Sequence, residues 1–185
     1  AKGVDPAALA RAKTVYEARF VRRLETVGMR TNLLAMNNCF NARAIWAAVG
    51  AQSGVIGVPV PNYFVPSSFG SLEIRPSDHT EFIGQDIDYS AARTMPTRLM
   101  AIDELQLKRL DLIKIDIEGM EMDALRGAEQ SIAALRPQLV IEKIKTSETD
   151  LQAFLTRHGY RTFPLGINLL ALHETDPTIQ QMTQA

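Results

Sequence analysis

The sequence predicts an α/β fold built on a mostly parallel sheet with an antiparallel edge at its C-terminal end. Three features predict it. Two apolar strand-like runs, DLIKIDI (111–117) and QLVIEKI (138–144), flank a stretch with helical spacing. A second helical stretch follows, in which Leu151, Phe154, Leu155 and His158 recur at three- and four-residue intervals before Gly159. YRTFPL and INLLALH then form two β-prone segments about Gly166. Strand, helix, strand, helix and hairpin is the alternation of an open α/β sheet closed by an antiparallel edge.

The remaining elements follow in chain order. Asp5-Pro6 is an N-cap followed by proline at the first helical position. Leu9, Lys13, Tyr16, Phe20, Leu24 and Val27 continue it as an amphipathic helix ending near Gly28. ARAIWAAVG (42–50) reads as a buried strand, with Trp46 in the core. Residues 50–74 alternate glycine and proline with β-prone pieces. Val55, Ile56 and Val58 suggest one strand and Ser71–Ile74 another, with Pro59, Pro61 and Pro66 confining this region to an edge or loop. Residues 75–93 are polar and read as an exposed loop; residues 95–105 read as a short strand and a turn. Gly119–Leu135 reads as one helix with Leu125, Ala128, Ile132 and Leu135 on one face, stopped by Pro137. The tail after Asp176 is expected to fray.

Composition narrows the function. Of the 185 residues, 46% are apolar and 22% charged, ordinary for a globular chain. The net charge of −1 provides no basic field for nucleic acid. No apolar run is long enough to span a membrane, and the opening AKGVDPAAL lacks an apolar signal segment. Cys39 is the single cysteine, which fits a reducing, cytoplasmic setting. His79, His158 and His173 lack metal-ligand spacing, so no metal site is assigned. Arg75, Arg93, Arg98, Ser67, Ser68 and Ser131 read as surface or structural residues.

The chemistry concentrates at the end of DLIKIDI, where Asp116, Glu118, Glu121 and Asp123 fall within eight residues. Ligands of open parallel sheets bind beyond the carboxyl ends of the strands. Asp116 occupies that position, Glu118-Gly119 forms the turn, and Glu121 and Asp123 fall in the first helical turn, where the dipole favours acids. Glu142 ends the neighbouring strand. Two acidic strand ends facing one cleft can bind a hydroxyl or amine, hold a hard cation, or act as a general base with a raised pKa.

IKIDIEGMEMDALRGA followed by RPQLVIE closely resembles the C-terminal half of FkbM-type methyltransferases, and HGYRTFPLGINLLALH and residues 37–74 extend the resemblance over roughly Asn32 to Asp176. It implies a Rossmann-like, S-adenosylmethionine-dependent enzyme that methylates a hydroxyl of a small polar or saccharide-containing acceptor. By the resemblance, Asp116 and Glu142 are the catalytic candidates, with Asp116 first. Glu17, Ala47, Ala48, Asp116 and Glu118 match cofactor-binding positions, and Glu118 and Glu121 substrate-binding ones. Glu17 would hold the ribose hydroxyls, although the same residues fit the opening helix. The family's opening strand and acid-x-glycine-x-x-x-glycine loop find no counterpart; GAQSGVIG (50–57) is followed by β-prone residues instead of a helix. The expected organisation is a helical segment over 1–31, a methyltransferase domain over 32–177 lacking its first strand and carrying an insertion at 50–93, and a tail over 178–185. A homo-oligomer could complete the missing part, and a non-catalytic binding or assembly module is the alternative reading.

Overall fold

The computed structural model describes residues 41–77 and 80–182. The expected opening helix, Glu17, Cys39 and His79 lie outside them. Among the described residues the architecture is mixed α/β with two sheets. Strands β1 (Ala48–Val49), β2 (Gly54–Pro59) and β3 (Thr94–Met100) form a small sheet in the order β1-β3-β2. β1 runs parallel to β3, and β2 antiparallel to it. Strands β4 (Leu112–Ile115), β5 (Gln138–Glu142), β6 (Tyr160–Leu165) and β7 (Asn168–His173) form the second sheet in the order β4-β5-β7-β6. There β4 and β5 are parallel, and β7 and β6 add the expected antiparallel edge. Among the described residues, parallel pairing occurs at β1–β3 and β4–β5, within two mixed sheets, and the α/β class holds.

Proline placement follows from the hydrogen-bond ladder. Pro59 ends an edge strand. Pro96 sits inside the central strand β3, opposite Gly57. It is tolerated because two-residue β1 pairs only with Leu99 and Met100, leaving the other side of Pro96 without a neighbour that needs its N–H.

Alternation along the second sheet builds the core. Ile115 of β4, Leu139 and Ile141 of β5, and Leu169 and Ala171 of β7 face one side. Helices α1 (Glu121–Arg126), α2 (Glu129–Leu135) and α3 (Glu148–Arg157) cover that side with Leu125, Ala128, Ile132, Leu151, Phe154 and Leu155. Leu125, Ile132, Leu139, Ile141 and Leu155 are wholly buried, each worth about 1.5–3 kcal/mol. The Gly166 hairpin joins β6 to β7 with φ +60° at the glycine.

Several expectations change. Residues 42–47 are not strand, and Ile45 is exposed; β1 spans only Ala48–Val49. Ser71–Ile74 forms no strand, and Ser71 instead closes a 3-10 turn over Phe69–Ser71. The single helix over 119–135 is two. Gly127 lies against the Gly50 carbonyl, where an added Cβ would overlap it. Asp103 then accepts from the Gln130 and Ser131 amides at the start of α2 and from the Ser131 hydroxyl. These contacts dock the β1 and β3 ends onto the helical layer and explain the break. Past Asp176 the chain does not fray at once. Asp176 caps the Thr178 amide, accepts from Gln138, and leads into α4 (Ile179–Met182), whose Ile179 is buried. Among the described residues, no helix is long and apolar enough to cross a membrane.

Candidate functional site at the carboxyl ends of β4 and β5

The parallel register sets the site. Ile115 lies opposite Ile141, so the next residues, Asp116 and Glu142, meet at the carboxyl ends of the two strands. Both point away from the apolar core by the same alternation that buries Ile115 and Ile141. Carboxylate oxygens of Asp116, Glu118 and Glu142 lie within 4.8 Å of one another. Carboxylates this close repel one another, so one of them keeps its proton to higher pH. The hydrogen bond with Asp116, then burial, then the charges of Asp116 and Glu118, push Glu142 up to about 7. The same bond, helped by Lys114, holds Asp116 below its ordinary range. The two shifts run in opposite directions, so as pH falls Glu142 takes up a proton before Asp116 does. Lys114 Nζ reaches Asp116 at 3.1 Å and Asn168 of β7 at 3.0 Å, tying a third strand to the site.

The turn after β4 is held in an uncommon shape. Glu118 has φ +53° and Gly119 φ +92°. A left-handed glutamate costs about 1–2 kcal/mol, so the surroundings must hold it. Glu121 supplies the hold. It is buried at 2% exposure, one oxygen accepts the amides of Ile117 and Gly119, and the other accepts Thr146 Oγ1 at 2.7 Å. Glu121, expected to bind substrate, also splints the turn. Asp123 pairs with Arg75 at 2.7 Å and with Arg126 at 3.2 Å, beyond its expected place at a helix start.

Lys145 is the residue that sequence reasoning missed. Its ammonium lies 2.7 Å from Glu118, 3.3 Å from Glu73, 3.7 Å from Glu81 and 3.1 Å from the Ser71 carbonyl. Burial opposes its charge, but Glu118 and Glu73 outweigh burial and raise its pKa. Glu73 is itself 3% exposed and also accepts from Thr80 and the Glu81 amide. Lys145 thus connects the insertion to the turn that carries Glu118. Its only sequence signal is a lysine three residues past Glu142.

The other expected positions divide. Ala48 lies in β1 and Ala47 just before it, on the first sheet, whereas the acids belong to the second. Glu17 lies outside the described residues. Arg75 and Arg98 are committed to Asp123 and Glu104. His158 contacts Glu129 at 3.0 Å and stacks at 4.6 Å on Phe154, a packed helix-end histidine.

No curated protein and no solved structure matches the chain. The family model described as the methyltransferase FkbM domain does match, over residues 10–162. The match starts well before Asn32 and takes in the segment containing Glu17. The acid-glycine-acid turn and the paired acidic strand ends fall inside the match, and the chain belongs to the FkbM methyltransferase domain family.

Proposed function

We propose that the protein transfers a methyl group from S-adenosylmethionine to a hydroxyl of a small polar acceptor, with Glu142 as general base. The observation that carries this is the pair of facing carboxylates, Asp116 and Glu142, at the strand ends. A base works best with a pKa near the operating pH, and Glu142 is pushed to about 7. Asp116, expected to be the first catalytic candidate, is instead the charged partner that raises Glu142, because its own pKa is lowered.

The donor set suits the cofactor. The acidic rim of Asp116, Glu118 and Glu142 is complementary to a ligand bearing ammonium and sulfonium charges and ribose hydroxyls. S-adenosylmethionine, when bound, supplies an electrophilic methyl group. The chain's own part is to orient the acceptor and remove its proton. With S-adenosylmethionine bound, deprotonated Glu142 would take the hydroxyl proton, the carbon–sulfur bond would break as the carbon–oxygen bond forms, and the thioether S-adenosylhomocysteine would leave. Asp116 keeps its charge beside Lys114 and stabilises the proton on Glu142. Alignment of the two reactants supplies the larger share of the acceleration. The near-balanced charge of the chain supports a small-molecule acceptor over nucleic acid, and the single cysteine supports a cytoplasmic setting.

Calorimetry with S-adenosylhomocysteine tests the reading. Saturable heat, weakened in Asp116→Ala, is expected. The absence of both heat and a thermal shift at millimolar ligand would refute it.

A further inference from the structure

Glu142 stands between two ion pairs. On one side Asp116 is held by Lys114 at 3.1 Å. On the other, Glu118 is held by Lys145 at 2.7 Å. One carboxylate oxygen from each of the three acids lies within 4.8 Å of the others, so both pairs act on Glu142 at close range. Asn168, opposite Glu142 on β7, is uncharged. The two pairs differ in their access to water. The Lys114 and Asp116 side chains are 43% and 49% exposed, so solvent screens them. Those of Lys145 and Glu118 are 16% and 23% exposed, and their charges are screened less.

Lys145 is built into the turn that carries Glu118. It lies in the connection from β5 to α3, which grips that turn at two points: Lys145 on Glu118, and Thr146 on Glu121. A Cβ on Gly119 would stand 3.9 Å from Lys145 Cβ and 4.0 Å from Glu73 Oε2, so the turn packs against both. The far side of the ammonium is taken by Glu73, Glu81 and the Ser71 carbonyl, and its charge reaches Tyr89. These contacts fix the ammonium, so it does not follow Glu118 into solvent. Among the described residues, Glu118 has no second cation within ion-pair distance. The Glu118 charge is one of those that push Glu142 up, and a cation 2.7 Å from Glu118 offsets that push.

We propose that Lys145 is a positioning residue for the strand-end site: it fixes and neutralises the Glu118 carboxylate, and so limits how strongly that charge bears on Glu142. The role of Glu142 as a base rests on the methyl-transfer reading; the linkage from Lys145 through Glu118 to Glu142 does not.

Carboxyl-carbon NMR titration of the full chain reads the Glu142 midpoint with neither cofactor nor acceptor present. Lys145→Gln is made together with Glu73→Gln, so that no buried charge is stranded. On the Glu73→Gln background it should raise the Glu142 midpoint by about 0.5–1 pH unit, the effect of one charge about 5 Å away at a water-exposed site. Glu118→Gln should lower the midpoint by a similar amount. With Glu118→Gln already in place, Lys145→Gln should move it by less than half as much. A lysine with a structural role alone would lower the melting temperature and leave the midpoint where it was. Glu118→Gln in the parent chain gives the same reading with the least strain on the fold, because Lys145 keeps Glu73 and Glu81. The proposal is overturned if Lys145→Gln fails to raise the midpoint, if its effect is as large without Glu118, or if Glu118→Gln in the parent chain fails to lower it. Midpoints that move as expected, with no binding of S-adenosylhomocysteine, would sink the methyl-transfer reading and leave the linkage standing. Binding of S-adenosylhomocysteine with unmoved midpoints would do the reverse.

Discussion

Glu142→Gln is the sharpest perturbation of the proposed chemistry. The amide keeps the shape of the protonated acid and its hydrogen bond to Asp116, so the fold should hold. It cannot take a proton. With Glu142 titrating at about 7, its ionised fraction is about one tenth at pH 6, half at pH 7 and nine tenths at pH 8. Parent turnover should therefore rise about fivefold from pH 6 to pH 7 and less than twofold from pH 7 to pH 8. In Glu142→Gln it should fall about 10²–10⁴-fold and lose that rise. Stability gives a second readout. The folded pKa lies above the ordinary 4.5. The proton's contribution is thus complete below that value and is lost as pH rises through about 7. The parent's melting temperature should drop between pH 5 and pH 8 by more than that of Glu142→Gln. Initial rates with a methyl acceptor and melting curves across pH measure both. A glutamine variant with the parent's rate and pH profile would refute the general-base role.

Three further outcomes are expected. Asp116→Asn removes the charge that raises Glu142, so the pH midpoint of any residual turnover should move down toward an ordinary glutamate; an unmoved midpoint in rate profiles or carboxyl NMR titration counts against the pair. Gly127→Ala should cost about 1–3 kcal/mol by denaturant titration, because the new Cβ overlaps the Gly50 carbonyl, and a neutral result would mean the break between α1 and α2 is slack. Lys145→Met should cost about 3–5 kcal/mol by stranding buried Glu73, and hydrogen exchange should quicken first in residues 72–89.

The β4 to β7 half was legible because its signals are local. DLIKIDI, QLVIEKI and the Gly166 hairpin each carry their own period and punctuation, and the structure places all of them. Asp116 and Glu142 were legible for a related reason. A parallel pair joined through a helix brings its carboxyl ends to one side, so two acids at those ends must meet. What failed to show depends on distant partners. The break at Gly127 comes from Gly50 and Asp103, and no window around residue 127 contains either. Glu121 looked like an open acid because its donors, Ile117, Gly119 and Thr146, are unremarkable residues. The order of proton affinities was hidden as well. Lys114 favours charge on Asp116, while Glu118 disfavours charge on Glu142, and both effects need the turn geometry.

The Lys145 junction has a consequence for the order of folding. Its partners Ser71, Glu73 and Glu81 precede it by more than sixty residues, and Glu118 lies on the other side of α1 and α2. None of these groups can gather until β4 and β5 have paired and positioned the lysine. Contacts of such long sequence separation are formed late, because loop closure costs entropy before it is rewarded. Among its described residues, 72–77 and 80–89, this stretch has no strand of its own to nucleate it. It is therefore expected to join a sheet that has already formed, and to be the first part to let go when the protein opens locally.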